Sequence, residues 1–304
     1  MTQQTPTFSV IIPTHNRPGQ LASCLESLAR QNYPREHFDV VVVDDGSREP
    51  LTALVAPFQP RIDVSLHRQP RTGPAAARNT GTKLARGQFL AFTDDDCEPA
   101  PDWLGSLAAS FAAAPDHVIG GRTINTLADN PYSRTSQAIV DIVYTYYNSD
   151  GFGARFFASN NLAVPAEHFR QLGGFDPSFT TSEDRDFCDR WLRRGLRMAY
   201  APQAVVHHAH VLTLSSFCRQ HFHYGRGAFR FHRACAGRGA KQPVPDLDFY
   251  RSLLRWRGGG EASGMSQVAL LVVWQVANAA GFFWEAMRQQ LFTNTSPTDS
   301  ISGK

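Results

Sequence analysis

Phe89-Leu-Ala-Phe-Thr-Asp94-Asp95-Asp96-Cys97-Glu98-Pro99 sets an apolar run directly against three adjacent carboxylates. Phe89 to Thr93 has the composition of a strand covered on both faces. Carboxylates need water, partners or a metal, so the junction belongs at the edge of a cleft, where a hard divalent cation is the obvious occupant. A cation bridging a diphosphate takes one or two protein carboxylates. On an extended backbone alternate side chains share a face, which predicts that Asp94 and Asp96 point together into the cleft and Asp95 points elsewhere. The competing reading is a solvated acidic turn, and the place of the three acids after a buried strand favours the cleft.

Working outward, Phe8-Ser-Val-Ile-Ile-Pro13 predicts a strand. Arg17 to Gln31 follows with Leu21, Leu25 and Leu28 at helical spacing and Pro18 near the start. Phe38 to Val43 is a continuous run of the kind found in parallel strands, and Asp44-Asp45-Gly46-Ser47 ends it as a turn. Ile62 to His67 supplies a third strand, Gly73 to Arg86 a helix and Gly87 to Thr93 a fourth strand. This alternation predicts an α/β fold, a mainly parallel sheet with helices on both sides. Ligands of such sheets bind beyond the carboxyl ends of the strands. His15-Asn16-Arg17, Asp44-Asp45 and Asp94 to Asp96 all fall on that edge.

After Pro101 the rhythm loosens: a helix near Trp103 to Ala114, a strand around His117 to Thr123, helices over Ser133 to Tyr147 and Ser182 to Gly195, and a strand from Ala204 to His208. These read as a second half of the same sheet. From Leu212 the chain turns rich in Arg, His and aromatic residues, then Pro and Gly, before an apolar stretch. The expected organisation is a catalytic domain over 1–230, a helical extension over 231–292 and a flexible tail over 293–304.

The 304 residues are 42% hydrophobic, which is globular rather than disordered, and the net charge of +3 comes from scattered arginines rather than a tract suited to nucleic acid. Five widely spaced cysteines suggest no disulfide frame or zinc ribbon, so a reducing cytoplasm is expected, and no secretory signal is evident. Met265 to Trp284 contains no charged residue and approaches the roughly 20 residues of a membrane span. Gln267, Gln275 and Asn278 lower its apolarity. It suits a buried or interfacial helix, a single span at the cytoplasmic face of a membrane, or packing against a dimer partner.

Further residues point to chemistry. A carboxylate at Asp45 can accept from the imide N–H of uracil or thymine or from a ribose hydroxyl, although such a tetrapeptide is more often only a turn. Gly73-Pro-Ala-Ala-Ala-Arg78 opens a helix with small residues and sets Arg78 where it could bond a diphosphate. It lacks the marks of a P-loop or a dinucleotide fingerprint. Ser182-Glu183-Asp184 starts a helix with Ser182 as N-cap; acids there stabilise any helix, but one beside a diphosphate site is a ready general base. His208, at a strand end, suits completion of a carboxylate-held metal site better than a zinc centre.

In order and spacing, Phe8-Ser-Val-Ile-Ile-Pro-Thr-His-Asn-Arg17, Val42-Val-Asp-Asp-Gly-Ser47, Ala77-Arg-Asn-Thr-Gly81, Asp94-Asp-Asp96 and Glu183-Asp184 resemble the motifs of family 2 glycosyltransferases, inverting enzymes of GT-A fold, over about residues 7 to 230. The resemblance implies that Pro13, Thr14, Asn16 and Asp45 hold the nucleoside and that Arg78 lies near the base or diphosphate. It implies that Asp94 and Asp95 face the donor, Asp96 and His208 hold Mg²⁺ or Mn²⁺, and Asp184 is the catalytic base. Asn160, Asn161 and Glu183, with Gly120-Gly121, are expected on the acceptor side. The Gln-x-x-Arg-Trp string of processive synthases is absent, so a single sugar passing from a UDP- or dTDP-sugar to a saccharide or lipid-linked acceptor in cell-surface polysaccharide assembly is expected. A sugar-phosphate nucleotidyltransferase or a non-catalytic nucleotide-sugar binding protein are the alternatives; the first wants a glycine-rich basic loop that Thr14-His-Asn-Arg-Pro18 does not supply.

Overall fold

The computed structural model describes residues 7–148, 153–239 and 265–293. One eight-stranded sheet runs through it. Its strands are β1 (Phe8–Thr14), β2 (Phe38–Asp45), β3 (Val64–Gln69), β4 (Phe89–Thr93), β5 (Cys97–Pro99), β6 (Val118–Asn125), β7 (Asn161–Pro165) and β8 (Met198–His208), in the order β3-β2-β1-β4-β7-β6-β8-β5. β3, β2, β1 and β4 are parallel, as are β6 and β8, whereas β7 runs antiparallel to both its neighbours and β5 antiparallel to β8.

Every residue of β1 and β2 is buried. Alternation splits them between two cores: Val10, Ile12, Val40 and Val42 face one, and Ile11, Val41 and Val43 the other. The first core is closed by α1 (Pro18–Ala29), the short α2 (Thr52–Val55) and α4 (Trp103–Ala113) through Leu21, Leu25, Val55, Trp103 and Phe111. The second is closed by α3 (Pro74–Leu84), α5 (Pro131–Asn148), α6 (Ala166–Gln171) and α7 (Glu183–Arg193) through Ala77, Tyr144, Phe169, Phe187 and Trp191. Because β1 lies between β2 and β4, the chain leaves it in opposite directions, and the crevice opens at this switch point.

Two devices the sequence did not signal complete the sheet. β7 inserts between β4 and β6, and β5 turns back along β8 so that Cys97 pairs with His208. This reversal makes Asp94 to Asp96 a turn, closed by the Cys97 N–H donating to the Asp94 carbonyl at 3.2 Å. The extended alternation expected for the three acids therefore does not hold.

Beyond the sheet lie α8 (Leu214–Gly237) and α9 (Met265–Thr293). Thr213 and Ser216 form a capping box at the start of α8, and the helix runs unbroken through residue 230. Arg226 and Arg230 of α8 each donate to Glu285 of α9 at 2.8 Å, and Phe229 meets Phe282. Phe222 backs onto Gly281 and Arg233 onto Gln289, so the two helices run parallel. They touch through glycine: a β-carbon on Gly225 would lie 1.9 Å from the Asn278 carbonyl, and one on Gly281 1.9 Å from that of Phe222. Glu285 is 1% exposed, and although burial alone would raise its pKa, the two arginines hold it down at about 2.

Candidate active site

Asp45 closes β2 and receives the loop that leads into α3. Its Oδ1 accepts from the Thr72 N–H at 2.8 Å, Gln69 Nε2 at 2.8 Å and the Thr72 hydroxyl at 3.2 Å, while Oδ2 accepts only from the Gly73 N–H at 2.8 Å. Burial opposes ionisation there, but these donors outweigh it and lower the pKa. Gly73 sits at φ 94°, a conformation that a side chain would strain.

The acidic turn is gripped from two sides. The Thr14 hydroxyl donates to Asp95 at 2.8 Å, and Arg17 Nη1 bridges Asp95 at 3.1 Å and Asp96 at 2.9 Å. Burial nonetheless pushes the Asp95 pKa up to about 6. Asp96 is half-buried, and although desolvation opposes its ionisation, the bond from His208 and the charges of His208 and Arg17 hold it at about 2. Its Oδ2 faces Arg17 and its Oδ1 faces His208 Nε2 at 3.4 Å. One ligand atom each of Asp96, His208 and His210 fall within 4.8 Å of one another, a carboxylate with two imidazoles that a divalent metal fits.

Arg78, 3% exposed, reaches across to α7: it donates to Asp94 at 2.5 Å and to Glu183 at 2.9 Å. This ties the end of β4 to the first turn of α7 and brings Asp184 to the crevice. Asp184 is half-buried. Its Oδ2 accepts from the Ser159 N–H at 3.4 Å and its Oδ1 from the Arg185 N–H at 2.8 Å. Burial, then the adjacent charge of Glu183, push its pKa up to about 7. A carboxyl so placed is matched to work as a general base near neutral pH.

These groups line one cavity of about 1330 Å³. Pro13, Thr14, Asp45, Arg78, Asp94, Asp95, Asp96, Asn160, Glu183, Asp184 and His208 all lie on its wall. Asn16 does not. Its backbone is left-handed at φ 55°, and its Oδ1 accepts from the Arg48 N–H at 2.8 Å, so it fastens the loop after β1 to the loop after β2. Asn161 is fully buried: its Oδ1 accepts from Trp103 Nε1 at 2.9 Å and its amide donates to the carbonyls of Arg122 and Ala204. It anchors the core between strands and is not on the acceptor side. Gly120 and Gly121 likewise lie against Phe157 and Asn161 inside the fold. Ser182 holds the N-cap position of α7 but is left-handed, at φ 72°, and its side chain makes no capping bond.

Arg17, His210 and Tyr224 also line the cavity and were not singled out as site residues. Arg17 was legible from its place at the β1 end, and His210 from its spacing of two from His208. Tyr224 lies in mid-helix, where nothing local marks it.

The carboxyl edge of this α/β sheet thus gathers an acidic turn, a loop closed on Asp45 and a carboxyl poised near neutrality. Residues 9–173 match the sequence model of glycosyl transferase family 2, more than half of the chain, and the chain belongs to that family. Among curated relatives, it is 28% identical over 278 residues to the pre-mycofactocin glycosyltransferase of Mycobacterium tuberculosis (strain ATCC 25618 / H37Rv), covering 87% of this chain and 55% of that protein. It is 26% identical over 230 residues to the glycosyltransferase AglE of Haloferax volcanii, covering 75% and 74%. The chain thus spans about half the length of the mycobacterial relative. Among solved structures, the mannosyltransferase PcManGT from Pyrobaculum calidifontis, in complex with GDP-Man and Mn²⁺, superposes with a TM-score of 0.65 at 21% identity, over 95% of this chain and 86% of that one. TarS 1-349 of Staphylococcus aureus, in complex with UDP-GlcNAc, gives 0.54 at 17%, over 93% and 92%. At these identities the two likenesses show the fold.

Proposed function

We propose that the protein transfers one sugar from a UDP- or dTDP-sugar, with inversion, to a hydroxyl of a saccharide or lipid-linked acceptor in cell-surface polysaccharide assembly. The observation that carries this reading is the placement of Asp184, its pKa pushed up to about 7, on the cavity it shares with Asp94 to Asp96. Asp184 takes the proton of the acceptor hydroxyl as the oxygen attacks the anomeric carbon. The bond from that carbon to the diphosphate breaks with its electron pair on the leaving group.

The choice of base follows from Asp45. Three bonds occupy its Oδ1 and one its Oδ2, which leaves Oδ2 a free lone pair for a single N–H. Uracil and thymine present one imide N–H; guanine presents two adjacent donors that ask for both oxygens. Arg17, 46% exposed on its side chain, uses only Nη1 on the acids, so the rest of its guanidinium is available to the diphosphate. Asp96, His208 and His210 would hold the metal, which supplies positive charge against the departing diphosphate. Two imidazoles beside one carboxylate favour Mn²⁺ over Mg²⁺, which prefers oxygen.

The free cysteines fit a cytoplasmic enzyme. On α9, Val268, Val272, Val276, Phe283, Met287 and Leu291 are all exposed at helical spacing, while Glu285 is pinned inward by α8. A buried charge locked to the catalytic domain opposes a span, and a one-sided apolar stripe suits a helix lying in the membrane interface. Flotation with phosphatidylcholine and phosphatidylglycerol vesicles tests this: co-flotation lost on V272S/V276S supports it, and a dimer in solution with no flotation refutes it.

The transferase reading is tested by thermal shift with UDP-, dTDP- and GDP-sugars, with and without Mn²⁺. A Mn²⁺-dependent rise with a uridine or thymidine sugar, followed by turnover that Asp184→Asn lowers by about 10²–10⁴-fold, is expected. Stabilisation by GDP-sugars alone overturns the base assignment, and no response to any nucleotide overturns the activity.

A further inference from the structure

The cavity is larger than one ligand needs: small-molecule sites commonly enclose about 300–1,000 Å³, against about 1330 Å³ here. Its two ends differ in chemistry. The end at the strand tips is crowded with charge from Arg17, Arg71, Arg78, Asp45 and the acidic turn. The wall built by α5, α8 and α9 carries no Asp, Glu, Lys or Arg among the residues facing the cavity. It mixes aromatic rings, such as Tyr224, Trp274 and Phe282, with serine hydroxyls, side-chain amides and an imidazole.

Several polar atoms around this space are buried with no partner. His221, 2% exposed, has neither ring nitrogen bonded, and the Thr123 hydroxyl and Asn160 Oδ1 are also unpaired. All three residues line the cavity. Burial pushes the His221 pKa down to about 4, so the ring is neutral and offers one donor and one acceptor. Leaving buried polar groups unmet costs about 1–3 kcal/mol each, and that cost is recovered when a ligand satisfies them. His221 meets Phe217 edge-on with centroids 4.4 Å apart and faces Trp274 at 6.4 Å, so its orientation is fixed by packing.

We infer that the wall formed by α5, α8 and α9, together with Thr123 of β6, is a subsite for a neutral sugar unit of the acceptor, with His221 and Thr123 bonding its hydroxyls and Trp274 packing on its apolar face. A neutral ring supplies hydroxyls that donate and accept, which matches an uncharged wall of unmet imidazole and hydroxyl. A phosphate or uronate placed there would be desolvated with no cation on these helices facing it. The inference rests on the transferase reading and extends it to the chemistry of the acceptor.

The full chain, with UDP and Mn²⁺, is incubated on an array of immobilised oligosaccharides that are neutral, uronate-bearing or phosphorylated. Binding confined to neutral members is expected. His221→Phe, which keeps a ring but no hydrogen bond, should weaken it at least tenfold; His221→Gln, which keeps donor and acceptor, should stay within about threefold. Thr123→Val serves as an independent second variant and should weaken binding about fivefold. The thermal shift with UDP and Mn²⁺ should be the same in all of them. Binding to charged members, equal binding by the phenylalanine and valine variants, or no glycan binding while the UDP shift persists overturns the subsite. Loss of the UDP shift in the wild-type protein instead overturns the transferase reading.

Discussion

Asp184→Asn separates catalysis from stability in opposite directions. The carboxyl titrates near 7 rather than at its ordinary 3.8, because it is buried beside Glu183. Between those values the folded chain holds a proton that the unfolded chain has lost, so stability falls as pH rises through that window. Three pH units at 1.36 kcal/mol each give an upper bound of about 4 kcal/mol, and partial exposure reduces this to about 2 kcal/mol. Asparagine keeps one oxygen, for the 2.8 Å bond from the Arg185 amide, gives up the long 3.4 Å bond from Ser159 and removes the charge. The variant should therefore melt about 4 °C higher than wild type at pH 8 and equally at pH 4. Turnover should drop by about 10²–10⁴-fold. In the wild type, kcat/KM should rise as pH climbs through about 7, as the base loses its proton, and the residual activity of the variant should lose that step. Melting curves and pH-rate profiles on the same preparations read both. A variant that melts lower at pH 8, or that retains turnover with the wild-type pH profile, would refute the assignment of Asp184 as the base.

Arg78→Ala leaves Asp94 and Glu183 facing each other without their shared cation; a loss of about 3–5 kcal/mol is expected by chemical denaturation, together with loss of nucleotide binding. Asn161→Ala should cost about 2–3 kcal/mol by removing three buried bonds, yet leave the acceptor KM of the surviving enzyme unchanged, because the residue sits in the core. Glu285→Gln weakens the attachment of α9 to α8; limited trypsin digestion followed by mass measurement should show faster cleavage at Arg288.

The first half of the fold was legible because it is built from continuous apolar runs that end in polar turns. Phe8–Thr14, Phe38–Asp45 and Phe89–Thr93 are buried on both faces, and the composition of such strands leaves few alternatives. β5 and β7 were not legible. The first has three residues, and the second, Asn161–Pro165, opens with an asparagine that reads as a loop until Trp103 and two carbonyls are seen to satisfy it. The same residue explains the misplacement on the acceptor side: polarity marked it, and only burial shows that its bonds are spent inside. The acidic turn was located correctly but given the wrong local geometry, since the reversal into β5 depends on a partner strand about a hundred residues away. Asp184 was found through its motif, whereas His221 and Tyr224 depend on how α8 lies over the cavity.

The glycine-mediated seam between α8 and α9 places one wall of the reaction chamber on a helix whose opposite side faces outward. Whatever that outer side rests upon is coupled, through Gly225 and Gly281, to the part of the cavity that α9 helps to enclose. A shift of α9 by even an ångström would resize that part of the cavity, whereas Asp45 and the acidic turn are held by bonds within the sheet edge, so a force on the outer side of α9 would act on the helical wall and leave the strand tips in place.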